Sequence, residues 1–159
     1  MPRTGKPARA FVAAMLLTLT LIASAPSLAP ASATSLRTRM LHKINEIRQR
    51  RDVHVVRVTK RMTRKATRHT RSMIRKNRLV HTQNLDGYMA RRGYSPWGEN
   101  VGCAGTLNKL MRALMRSSSH RKTIVDRKYR KVGLGVVEAR RRNMCGRHAV
   151  WTTQIFYRR

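Results

Sequence analysis

Two runs near the C-terminus constrain this fold more than any other part of the chain. Val132-Gly133-Leu134-Gly135-Val136-Val137 is β-branched and alternating, and Ala149-Val150-Trp151-Thr152-Thr153-Gln154-Ile155-Phe156 reads as a second strand. Residues 140–147 between them suit a hairpin loop, so the two runs are expected to pair antiparallel. Upstream, helical signals dominate. Leu36, Met40, Ile44 and Ile47 recur at helical spacing, with Ser35 as N-cap and basic residues at the far end. Residues 51–58 read as a loop with a short extended stretch. Thr59 caps a second helix whose Met62, Ala66, His69 and Met73 form one face. From 80 to 95 the periodicity fails, apart from a helical turn at 85–90. Thr106 then caps a third helix with an apolar stripe of Leu107, Leu110, Met111 and Leu114, which Ser117, Ser118 and Ser119 end. Helices followed by an antiparallel pair define an α+β layout.

The N-terminus reads as an export signal. Arg3, Lys6 and Arg9 precede an apolar run from Phe11 to Ala25, and Ala31-Ser32-Ala33 supplies the small residues a signal peptidase needs. Residues 1–33 are therefore expected to be a signal peptide cut between Ala33 and Thr34, because the earlier small-residue positions are followed by Pro26 and Pro30. A retained membrane anchor is the alternative, although the run is short of the ~20 residues a spanning helix needs. Residues 34–159 then form one secreted domain, with no transmembrane segment in the mature chain. The full chain carries a net charge of +30, and removing the leader's three basic residues leaves +27. Such a charge opposes folding by self-repulsion and attracts polyanions at long range. Cys103 and Cys145 are the only cysteines, and export favours one bond between them, worth roughly 4 kcal/mol in the chain-entropy picture. Two free thiols or a redox pair are the alternatives, but their separation is unlike Cys-x-x-Cys.

Chemistry-bearing residues sit in three short polar segments, each read as a turn. These are Leu79-Val80-His81-Thr82, Trp97-Gly98-Glu99-Asn100-Val101 and Ser117-Ser118-Ser119-His120-Arg121. Imidazoles and a carboxylate drawn from separate segments can bind a metal ion or exchange protons. The other histidines carry less. His69 falls on the apolar side of the second helix and reads as core, while His42, His54 and His148 lack a motif. Trp151 reads as core, and Trp97 either packs against its loop or lines a groove.

Gly98-Glu99-Asn100-Val101, Ser119-His120-Arg121-Lys122-Thr123-Ile124, Val132-Gly133-Leu134-Gly135-Val136 and Trp151-Thr152-Thr153-Gln154-Ile155-Phe156 follow one another in this order. Together they resemble the CAP superfamily of cysteine-rich secretory proteins, antigen 5 and pathogenesis-related proteins. The likeness runs from about Leu41 to Phe156 and is greatest to the compact bacterial, SCP-like extracellular branch. It implies an α-β-α sandwich, a short antiparallel sheet between helices. It also implies a surface cleft in which His81 and His120 face each other, with zinc or another divalent metal as a possible occupant. Glu99 matches the first of two family glutamates, and either orients a histidine or ties its loop together. The second has no match, because Ser117 stands in its place, and Leu114 replaces the tryptophan that usually precedes it. The implied cleft is His81, Glu99, His120 and Ser117, with His81 and His120 as metal ligands.

The resemblance implies a binding module for a metal ion, a lipid or another small ligand. The alternative is a metal-dependent hydrolase or peptidase using the same cleft, and it lacks a clearly placed second base to take a proton from bound water. A serine nucleophile beside His120 would want a strained elbow and oxyanion donors, and no segment supplies them. Independently, Arg61, Arg64, Lys65, Arg68, Arg71 and Arg75 stack along one side of the second helix. A charge run is usually just a solvated face, but only 6 acidic residues oppose 36 basic ones here, which favours anion binding. The expected partners are anionic cell-envelope polymers or lipid head groups. Nucleic acid would be held through phosphates, independently of sequence.

Overall fold

β3 (Lys131–Ala139) and β4 (Ala149–Tyr157) pair antiparallel along their full lengths, with Lys131 opposite Tyr157 and Ala139 opposite Ala149. The computed structural model describes residues 31–159, so residues 1–30 of the expected leader lie outside the described residues. Two further strands join the pair. β1 (Arg57–Val58) runs parallel to β3, and β2 (Trp97–Ala104) runs antiparallel to β4, giving a four-stranded sheet in the order β1-β3-β4-β2. The sheet is thus mixed and larger than the expected pair. β4 occupies an interior position and is buried at every residue.

Alternation along the strands assigns the helices to the two faces. Val132, Leu134, Val136, Val150 and Phe156 point to one core, shared with α1 (Ala31–Gln49), α4 (Leu107–Arg116) and α5 (Ser118–Val125). Ile155 and Tyr157 point the other way, into a core with Met62 and Ala66 of α2 (Lys60–Lys76) and Leu85 and Met89 of α3 (Leu85–Ala90). Trp151, fully buried, continues that second face beside Met73. Helices therefore cover both sides of the sheet, as an α-β-α sandwich requires. Among the described residues, no helix is long and apolar enough to cross a membrane.

Two glycines let α2 sit unusually deep. A Cβ on Gly133 would lie 2.5 Å from the Met62 carbonyl carbon, and one on Gly135 would lie 2.4 Å from the Ala66 carbonyl. The polar residues of β4 are buried but paired. Thr152 Oγ1 donates to the Gly135 carbonyl at 3.0 Å, and Thr70 Oγ1 of α2 donates to Thr153 Oγ1 at 2.9 Å.

α1 already includes Ala31, the first described residue, so Ser35 lies within the helix and is not its N-cap. At the other end, Arg48 is completely buried. Its guanidinium donates to the carbonyls of His54 (2.7 Å), Ile124 (2.6 Å), Asp126 (3.1 Å) and Tyr129 (3.0 Å), stitching two loops together. Burial, helped by the charge of Arg130 and opposed by Asp126, pushes its pKa down to about 10. Cys103 of β2 and Cys145 of the β3–β4 hairpin form a disulfide, with Cα atoms 5.9 Å apart. It fastens the sheet's outer strand to that basic loop.

Candidate binding cleft

Glu99 lies on β2 and not in a turn, opposite Ile155 of β4. Gly98, Glu99, Asn100 and Gly102 have poor strand propensity and mask a strand that pairing with β4 enforces. Gly98 permits a close approach here, since a Cβ would come within 2.7 Å of the Tyr129 hydroxyl. Neighbouring residues of a strand face opposite sides of the sheet, and Glu99 and Asn100 each use that geometry to hold one histidine segment.

On the α2 side, the Glu99 carboxylate is almost wholly buried, with 3% of its side chain exposed. Oε2 accepts from the Thr82 amide at 2.9 Å and lies 2.8 Å from His81 Nδ1, while Oε1 accepts from the Thr82 hydroxyl. The His81 ring remains 67% exposed above it. The carboxylate thus both orients the imidazole and ties its loop, combining the two roles expected as alternatives. On the α5 side, the buried Asn100 donates through Nδ2 to the His120 carbonyl at 3.1 Å and to Gln154 Oε1 at 3.2 Å. His120 lies in the first turn of α5.

Burial lowers the His120 pKa, and the charge of His81 lowers it further. Nδ1 of His120 is buried and has no hydrogen-bond partner among the described residues, so a proton there would be poorly accommodated. Ser117 sits between α4 and α5, where its hydroxyl lies 3.1 Å from that of Ser119. No hydrogen bond links it to His81, Glu99 or His120.

With Nδ1 directed at Glu99, His81 has Nε2 to offer, in the carboxylate–imidazole arrangement common behind metal ligands. Two imidazoles fall short of the three or four protein ligands that hold zinc firmly. Among the described residues, no group of three or more His, Cys, Asp or Glu side chains is placed to hold one. Two imidazoles alone would leave most of a divalent ion's coordination to water.

His69 departs from the expected core role. It is half-buried, and its Nε2 donates to the Val80 carbonyl at 2.7 Å, anchoring the loop one residue before His81. Between α2 and that loop runs a groove of about 750 Å³, lined by Lys65, Arg68, Arg75, Arg78 and His81 among others, with no carboxylate on its walls. Of the expected basic side, Arg61, Arg64, Arg68, Arg71 and Arg75 are exposed. Lys65 folds over the Tyr88 ring, 4.2 Å from its centroid, and Arg61 lines none of the grooves described here. Trp97 packs against the core of α2 and α3. Sequence reasoning missed Thr82, Asn100 and Arg78. The first two adjoin His81 and Glu99, and adjacency was the only signal they carried.

Helices on both faces of a four-stranded sheet, with the segments carrying His81 and His120 tied to adjacent residues of its outer strand, define a small α-β-α sandwich domain. The chain belongs to the CAP, or cysteine-rich secretory protein, family, which it matches over residues 41–156. Three solved structures share its fold. An extracellular protein containing an SCP domain from Bacillus anthracis is 18% identical at a TM-score of 0.65, covering 85% of this chain and 45% of its own. A Borrelia burgdorferi outer surface protein is 13% identical at a TM-score of 0.67, covering 80% and 95%. A Staphylococcus aureus cysteine-rich secretory protein is 18% identical at a TM-score of 0.63, covering 82% and 41%. The chain therefore spans less than half of the Bacillus and Staphylococcus proteins. No curated protein gives a significant sequence match.

Proposed function

We propose that this protein is an exported binding module that receives an anionic group in the groove beside His81. One observation carries the reading. The cleft histidine and the basic side of α2 border the same groove, whose walls include Lys65, Arg68, Arg75, Arg78 and His81 and no acid. Glu99, behind His81, already accepts three hydrogen bonds, so these donors partly offset its charge before an anion arrives. The leader-like N-terminus and the extracellular or outer-surface descriptions of two relatives support export. The partners are anionic envelope polymers or lipid head groups, and a divalent ion held weakly between His81 and His120 is an accessory.

A hydrolase would need Glu99 free to take a proton from water, whereas its oxygens are engaged by His81 and Thr82. The test uses tripolyphosphate as a compact anionic probe, titrated calorimetrically into the protein. Binding should weaken with salt and drop by about tenfold in Arg78→Glu. No binding at low salt, or an unchanged affinity in the variant, would overturn the reading. Metal-dependent turnover of peptide or ester substrates, lost in Glu99→Gln, would establish the hydrolase instead.

A further inference from the structure

The groove beside His81 shares the basic side of α2 with two other large grooves. A second, of about 610 Å³, lies on the other flank of the helix and is lined by Arg37 of α1 with Lys60, Arg64, Arg68, Arg71 and Arg75. A third, of about 770 Å³, opens between the end of α2 and the β3–β4 hairpin, where Arg71 and Arg75 face Arg140, Arg141 and Arg142. Arg68 lines the first and second, Arg71 the second and third, and Arg75 all three. At 100° per residue, Arg68 and Arg75 project directly away from the Met62, Ala66 and Met73 side that α2 buries, so they form the crest between its flanks.

Building on the anion-binding reading, we propose that the three grooves form one track for a linear, phosphate-linked polymer, which crosses the crest at Arg75. Several features select that ligand. Arginines three and four residues apart place charges roughly 5–6 Å apart along the helix, and the guanidinium fork suits phosphate oxygens. A single compact anion fills one groove and leaves the others' charges unanswered. A flat membrane surface meets the crest but not the depressions beside it, whereas a thread enters them.

Nucleic acid is disfavoured because no Phe, Tyr or Trp is among the residues lining the three grooves, and base stacking is what single strands use for grip. The Tyr88 ring beside Lys65 already carries Lys65 at 4.2 Å and Arg92 at 3.9 Å from its centroid. The one carboxylate on the track, Glu138 in the third groove, lies 3.6 Å from His148 Nδ1 and is outnumbered there by Arg71, Arg75, Arg140, Arg141 and Arg142.

The experiment compares inorganic polyphosphate of about three units with chains of about sixty on the whole protein, where linked contacts should raise affinity by about 10²-fold or more. Joint replacement of Arg140, Arg141 and Arg142 by Glu reverses the hairpin's share of the third groove's charge, leaving Arg71 and Arg75 in place and the His81 groove intact. The triple variant should lose most of the long-chain gain and bind tripolyphosphate as before, and that retained binding also shows that it folds. Long chains binding no tighter than tripolyphosphate, or a triple variant that keeps the gain, would overturn the track while leaving the single-groove reading standing. Failure of either probe to bind would defeat both. Single-stranded DNA or anionic vesicles matching long polyphosphate in affinity would overturn the choice of polymer.

Discussion

His69 Nε2 donates to the Val80 carbonyl at 2.7 Å, so α2 itself holds the loop that presents His81. Together with the Glu99 bonds to Thr82, this fixes the loop from both ends of a three-residue span. Replacing His69 by Leu keeps the apolar volume and removes the donor. Amide hydrogen exchange at residues 80–83 should quicken in His69→Leu while exchange in β4 stays slow. Unchanged protection of those four amides would show that the bond does not hold the loop.

The His120 imidazole should titrate below about 6.5, the ordinary value, because burial and the His81 charge both oppose its proton. With the folded pKa lowered, the unfolded chain binds more protons in the window between the two values. Stability from this group is therefore complete above the unfolded value and is lost as pH falls through the folded one. Proton-detected titration of His81→Ala should show the His120 midpoint moving up but remaining depressed, since burial is the larger cause. A midpoint that does not move would mean the rings are not coupled.

Zinc uptake should be weak and confined to the pair. Calorimetric titration of the protein should detect at most one ion dependent on these side chains, and His81→Ala with His120→Ala should remove it. Equal uptake by the double variant would place any zinc elsewhere.

Arg48 should be among the most sensitive positions in the domain. Replacement by Met leaves the buried Ile124 carbonyl without its side-chain donor and the Tyr129 carbonyl with only Arg130 Nη1 at 3.3 Å, and should cost about 3 kcal/mol. Arg48→Lys cannot reproduce a fork that reaches four carbonyls, so it should recover only part of the loss. Denaturant unfolding reads both, and a loss under about 1 kcal/mol in Arg48→Met would count against the stitch.

Gly135→Ala should destabilise by about 3 kcal/mol, because its methyl would press on the Ala66 backbone, which has no rotamer to yield. Thermal unfolding checks this, and a neutral result would mean that α2 can shift away from β3.

Period and turn chemistry made much of the architecture legible before any coordinates. The β3–β4 hairpin, the turn of α3 and the Thr106 cap of α4, whose side chain accepts from the Lys109 amide, all follow from local signals. β2 was hidden because Gly98, Glu99, Asn100 and Gly102 serve the site and Tyr129's approach more than strand propensity. Arg48 was hidden for a different reason: a basic residue in a last helical turn looks like a solvated complement to the helix dipole, and its carbonyl partners lie up to 81 positions away. The His81 and Glu99 segments could be singled out by residue type, but their joining through Thr82 depends on a sheet edge formed by distant pairing.

The seating of α2 on Gly133 and Gly135 reaches beyond packing. With its backbone nearly touching the strand beneath, the helix cannot roll about its own axis without collision. The guanidinium row on its outer side is consequently mounted on a rigid bar, and only side-chain rotamers need to be frozen when an anion arrives. A more loosely packed helix would have to surrender backbone freedom as well, so two hydrogen atoms in place of side chains set how readily the far side of the helix can grip.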